Sequence, residues 1–254
     1  RYETSYGIKL KNEIENPSLV GLRDMRLKNM HEQMIKDPAV KLKLASDYAG
    51  IANYWKFFDG ETKQLIKFNT YGQKQQYEEK FTKWAQGKPE YQNIFADYAK
   101  NYAEWTPYSK HRVYLREGIL GSPLSAYASS LMGLEAAIVK TGATSADIKK
   151  AADAADAARK QFLESEDKPS DEKILAAVAM AFYNDIDKSQ HPIGFYEKLK
   201  GTFGDLKDDA TYKKWAADVF AKTMIFDDAK WAAFIAAPDA TVLQADPAFD
   251  FASS

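Results

Sequence analysis

The sequence has no cysteine, only 13 glycines and nine prolines among its 254 residues, and three histidines. Without cysteine there is no disulfide framework, no thiolate zinc site and no thiol nucleophile. A chain free of cysteine is compatible with an oxidising compartment without requiring one. An excess of one charge is missing too: 35 basic side chains stand against 36 acidic ones, a formal net charge of -1. A nucleic-acid binder needs a basic field and an acidic tail needs a run of carboxylates, and this balance supplies neither. The longest apolar stretch, Ile174 to Tyr183, is too short to cross a bilayer.

Several motifs begin and fail. Gly118 to Gly121 lacks the lysine of a phosphate loop. His31-Glu32 starts like a zincin helix, but the second histidine would fall on Ile35. Asp185-Ile186-Asp187 starts like a calcium loop, but Gln190 takes the place that requires glycine. His111 sits among Lys110, Arg112 and Arg116 as a solvated basic cluster, and His191, before Pro192, reads as a loop or cap residue. No histidine lies in a setting that suggests a Ser-His-Asp triad. The chain therefore offers no catalytic residue of its own, and nothing in it calls for a metal, a cofactor, nucleic acid or a membrane.

What the sequence has is helical periodicity. Apolar residues recur at three and four, and β-branched residues rarely alternate with polar ones. The expected fold is all-α, an irregular multi-helix bundle. Asn16-Pro17-Ser18 reads as a stop and restart, followed by a helix with Leu19, Leu22, Leu27, Met30 and Met34 on one side. Asp37-Pro38 and Asp246-Pro247 read as helix starts, because Asp caps the free N–H groups and Pro suits the first turn. Thr144 to Asp147 starts another helix, Ala-rich and lying on the surface. Lys168-Pro169-Ser170 ends that one, and Ile174 to Tyr183 is apolar enough for central core. Gly194, Gly201 and Gly204 mark a looser region, and Trp215 to Phe226 and Lys230 to Ile235 two further short helices. Gly118 to Pro123 is the best place for a break between subdomains. The row Tyr91, Phe95, Tyr98, Tyr102 and Trp105 follows helical spacing, so core is the first expectation and a sugar or peptide groove the second. Acid pairs such as Glu78-Glu79 and Asp208-Asp209 read as solvated surface. The chain starts at Arg1 and ends just after a helix start, so we expect a fragment of a longer protein, truncated at its C-terminus.

One helix, from Asp37 to Asp59, carries more. Val40, Leu44, Tyr48, Ile51, Trp55 and Phe58 form an ordinary core stripe. The other side holds Ser46, Ala49, Gly50 and Asn53, although glycine weakens a helix. Small residues let something approach closely, and Asn53 offers an acceptor and two donors there. Two readings stay open: another helix packs on this face with Asn53 capping a loop, or the polar group of a ligand docks on Asn53.

The run Ala49-Gly50-Ile51-Ala52-Asn53-Tyr54-Trp55-Lys56 resembles a signature of the bacterial chymotrypsin-like serine dipeptidyl-peptidases of the dipeptidyl-peptidase 7 and 11 type, which carry a large helical insertion. Arg1 to Gly7 resembles the point where that family leaves its first β-barrel. Asp218-Val219-Phe220, Ile225-Phe226, Phe234-Ile235, Pro238 and Asp246-Pro247-Ala248-Phe249 resemble its later helices in the same order. The middle, Tyr71 to Lys160, matches only in helical character. The resemblance implies a helical cap domain spanning residues 1–254 and inserted between two β-barrel lobes that are absent from this chain and carry the Ser-His-Asp triad. It implies that Asn53 helps to hold the α-amino group of the substrate, with Gly50, Tyr54 and Trp55 in support. The partners are then peptide N-termini and the barrel lobes, in a periplasmic or secreted parent that could be a homodimer. Such a cap is expected to move as a body, with Gly7 as a hinge. Phe57 departs from the pattern, since many relatives place asparagine there, and Phe58 to Glu61 is more acidic than expected. The alternative is a stand-alone helical interaction or ligand-binding scaffold that shares short motifs, with a glycan-binding module behind it.

Overall fold

The computed structural model describes residues 3–254, so Arg1 and Tyr2 of the amino-terminal resemblance lie outside the described residues. The described residues hold no strand. Helices α1 (Ser5–Leu10), α2 (Asn16–Met34), α3 (Pro38–Lys67), α4 (Thr70–Trp84) and α5 (Ile94–Val113) are followed by α6 (Pro123–Ser130), α7 (Met132–Val139), α8 (Ser145–Ser165) and α9 (Lys168–Asp185). Then come α10 (Ile193–Phe203), α11 (Asp209–Lys222), α12 (Asp228–Ala236), α13 (Ala240–Gln244) and α14 (Pro247–Ser253). None of these helices is long and apolar enough to cross a membrane.

The expected helix starts are built as the local chemistry requires. Asp37 accepts from Ala39 N–H at 2.8 Å. Thr144 and Asp147 form a reciprocal capping box at the head of α8. Asp246 accepts from Ala248 N–H and Phe249 N–H at the head of α14. Asn16-Pro17 does not stop the chain. Residues Lys11–Glu15 form a π turn, in which Asn16 N–H bonds the carbonyl of Lys11, and α2 runs on from it. The widened ladder just before Pro17 takes up the missing amide and the bulk of its ring. Gly194 and Gly201, expected in a looser stretch, lie inside α10, and only Gly204, at φ 128°, takes a backbone that side chains rarely adopt.

The chain divides into two compact units, one of residues up to Asp24 with Ala49–Glu117, the other of Met25–Tyr48 with Gly118–Ser254. The chain changes unit inside α2, inside α3 and at Glu117–Gly118.

In the first unit, α1 packs on α4 and α5. Ser5 N–H donates to Glu78 Oε1 at 2.7 Å and Ser5 Oγ to Glu78 Oε2 at 2.5 Å, so Glu78 holds the head of α1 and is no solvated surface acid. Gly7 lies within α1, and a Cβ there would meet Tyr102 Oη at 3.0 Å. Close approach explains this glycine; the expected hinge sits inside a packed helix. A second π turn, Tyr114–Gly118, follows α5. The aromatic row is not core: Tyr91, Tyr98 and Trp105 are 37%, 40% and 43% exposed. Tyr6 stacks on Tyr98 and Tyr102 with centroids 6.4 and 6.0 Å away. The six residues of α1 are too few to cover the whole row.

In the second unit, α9 packs on α11. Ile174, Leu175, Val178, Ala179 and Phe182 of α9 are buried, as are Tyr212, Trp215, Ala216, Val219 and Phe220 of α11. Ala179 and Ala216, with no exposed surface, let the two helices close up. Buried tyrosines place their hydroxyls on carbonyls: Tyr196 on Ala179 (3.1 Å), Tyr127 on Ala155 (2.9 Å) and Tyr212 on Leu206 (3.0 Å). Burial pushes the Tyr127, Tyr196 and Tyr212 phenols up. Arg159, 6% exposed in the Ala-rich α8, donates to Ile225 O at 2.6 Å.

Two carboxyl groups are buried where α8 passes into α9. Glu166 is 6% exposed and Asp171 is 1% exposed. Asp171 Oδ2 accepts Leu124 N–H at 2.7 Å, at the head of α6, and the Ser122 hydroxyl and the charge of Arg26 also favour its ionised form. Lys43 Nζ donates to the backbone carbonyl of Glu166 at 2.6 Å, away from its carboxyl group. Asp171 Oδ1 and both Glu166 oxygens find no N–H or O–H donor in the surrounding structure. Two acids buried together with no donor on these oxygens disfavour each other's ionised form. Burial and the neighbouring Asp171 charge push Glu166 up to about 9, and burial outweighs the donors around Asp171 to raise it as well.

Candidate functional site

The α3 helix presents a polar, open face in the first unit. Asn53 is exposed, and its side chain has no partner among the described residues. Ala49 and Gly50, one turn earlier, are exposed too, and a Cβ on Gly50 would meet nothing within 4 Å. Among the described residues no helix therefore packs on this face and Asn53 caps no loop, which goes against the first of the two readings left open by spacing. Ile51, Ala52, Trp55 and Phe58 are half-buried and form the packed side. Helical geometry sends Trp55 away from Asn53 and sets Tyr54 to one flank. Trp55 supports the helix from the packed side, with a buried Nε1 that has no partner.

One turn beyond Asn53 on the same face stands Phe57, 58% exposed. It meets Phe58 edge-on with centroids 5.1 Å apart. The open face thus has a small-residue side and an aromatic side with an amide between them. The acids that follow are structural. Asp59 pairs with Lys63 at 2.6 Å, and Glu61 accepts from Asn16 Nδ2 at 3.0 Å. Thr62 Oγ1 accepts from the same amide at 3.0 Å.

The sequence reading missed what sits under Tyr54 and Phe58. The guanidinium carbon of Arg23, from α2, lies 5.6 Å from the Tyr54 ring centre and 5.0 Å from that of Phe58. Arg23 Nη2 pairs with Glu117 Oε2 at 2.7 Å, at the second π turn. Arg23 is 7% exposed. A signal existed: Arg23 stands on the stripe of Leu19, Leu27 and Met30, where a charge needs a partner.

Asn53 can accept and donate hydrogen bonds, and exposed Lys56 stands one turn further along α3. No group of three or more His, Cys, Asp or Glu that could hold a metal occurs among the described residues.

A family model described as Peptidase S46 matches residues 1–254. An Asp/Glu-specific dipeptidyl-peptidase of Flavobacterium psychrophilum is 30% identical over 233 residues, 90% of this chain and 31% of that protein. Dipeptidyl-peptidase 7 of Porphyromonas gingivalis is 27% identical over 268 residues, 100% of this chain and 35% of that protein. The crystal structure of Porphyromonas endodontalis DPP11 in complex with the dipeptide Arg-Glu superposes with a TM-score of 0.79 at 19% identity, covering 99% of this chain and 35% of that one. The chain thus spans about a third of the length of these relatives.

Proposed function

Because the chain belongs to the peptidase S46 family, we propose that it is the helical cap of a serine dipeptidyl-peptidase acting on free peptide N-termini, and that Asn53 binds the substrate α-amino group. The observation that carries this is the exposed, unpartnered amide of Asn53, set on a face with no helix against it inside the Asn53-Tyr54-Trp55 run. Asn53 Oδ1 accepts from the ammonium group. The small side chains of Ala49 and Gly50 leave room for the first residue of the peptide, and Phe57 offers an apolar wall to it. The countercharge and the Ser-His-Asp triad belong to barrel lobes outside these residues. Holding the amino terminus at a fixed distance from the nucleophile sets the cut after two residues. In the same reading the cap gates the cleft, and the enzyme works in the periplasm or outside the cell.

The test is Asn53→Ala in the full-length enzyme with dipeptidyl substrates of free amino terminus. A hydrogen bond to a charged group is worth about 1.5–3 kcal/mol, so KM should rise at least about tenfold with kcat nearly unchanged. Asn53→Asp keeps an acceptor and should lose less. Unchanged KM in Asn53→Ala would remove the binding role.

A further inference from the structure

We propose that Arg23 is a positioning residue for the α-amino site, acting through α3 on Asn53; this rests on the reading of Asn53 given above. The chain enters the first unit between Tyr48 and Ala49. From there to Asn53 the open face of the helix has nothing packed on it, as the empty surroundings of Gly50 show. The first polar anchor after that point is Arg23, which meets the residue directly following Asn53.

The anchor has the form of a clamp. The guanidinium sits 5.6 Å from the ring centre of Tyr54 and 5.0 Å from that of Phe58, two residues one turn apart on α3. Cation–π attraction at these distances needs the planar cation to stay in place. Glu117 holds it there at 2.7 Å from outside α3. Nη1 is buried without a partner, so one donor of the fork is given up while the group keeps its place against the rings. Three segments, α2, α3 and the turn after α5, thereby fix the rotation of α3 about its own axis at Tyr54. Asn53 has no hydrogen bond that would hold its side chain, so its aim follows that rotation. A shift of the helix would move the amide away from the ammonium without touching the reacting atoms, which belong to other parts of the enzyme.

The test is a double-mutant cycle in the full-length enzyme. Arg23→Lys keeps the charge but loses the planar face and the fork. It should raise KM for free-amino dipeptidyl substrates about fivefold to tenfold, the size of coupling common between residues in one network, with kcat within about twofold. In an Asn53→Ala background the same change should have almost no further effect on KM. Glu117→Gln, a milder change at a half-buried site, should act in the same direction and to a smaller extent, and it serves if Arg23→Lys fails to fold. Equal losses from Arg23→Lys in both backgrounds would show a merely structural residue and overturn the inference while leaving the role of Asn53 intact. If Asn53→Ala alone changes nothing, both readings fall.

Discussion

Replacing Asp246 by Ala is expected to lower the stability of the protein by about 3 kcal/mol, the sum of a lost helix cap and of buried donors left without partners. Asp246 is 5% exposed. Its carboxylate accepts Ala248 N–H at 2.9 Å and Phe249 N–H at 3.3 Å, which caps α14. It also accepts Met224 N–H at 2.7 Å and the Thr223 hydroxyl at 2.9 Å, where α11 ends. One side chain therefore joins the end of one helix to the start of another. Alanine would leave three backbone N–H groups unpaired in a buried place. For a chain of this size about 1 kcal/mol corresponds to roughly 2–4 °C, so thermal denaturation should show a drop of about 6–12 °C. Asp246→Asn keeps one acceptor oxygen and should fall about halfway. A melting temperature within experimental error of the parent in Asp246→Ala would show that the junction carries no such weight.

Glu166→Gln is expected to change how stability depends on pH. In the folded protein Glu166 is raised to about 9 from an ordinary value of 4.5. Its proton is bound more tightly folded than unfolded, so its stabilising contribution is complete below the ordinary value. It is lost progressively as the pH rises from there towards 9. Over that window the slope approaches about 1.4 kcal/mol per pH unit for one proton. Glutamine cannot titrate and stays neutral beside Asp171 at every pH. Melting curves of the parent should therefore fall by about 2–4 °C per pH unit between pH 6 and 8.5 relative to those of Glu166→Gln, with the variant favoured most at the alkaline end. Parallel curves would show that Glu166 is ionised in the folded protein at neutral pH.

Much of the fold is legible in the sequence because helix starts are local. The Asp37, Thr144 and Asp246 caps read as starts and are starts, since each carboxylate or hydroxyl serves an amide two or three residues away. The apolar run Ile174 to Tyr183 reads as core and lies in α9, the helix packed on α11. The site itself was half legible. Spacing put Ala49, Gly50 and Asn53 on one face of α3, but it could not decide whether another helix covers that face. The aromatic row that runs from Tyr91 into α5 shows the same limit from the other side. Its spacing is that of a core stripe, yet Tyr91, Tyr98 and Trp105 stay exposed, because short α1 and the end of α4 at Phe81 and Trp84 cover it only in part. Helical period reports which residues share a face and says nothing of what meets it.

The sequence alone determined an all-α chain, most of its helix boundaries and the family to which the run around Asn53 points. All of these depend on residues within a turn or two of each other. The tertiary structure decided which faces stay open, how Arg23 reaches both α3 and Glu117, and that Glu166 and Asp171 are buried with their carboxyl groups raised. Those outcomes turn on which distant segments exclude water from a side chain, and the free energy of burying a charge is set by its neighbours in space, whatever their distance along the chain.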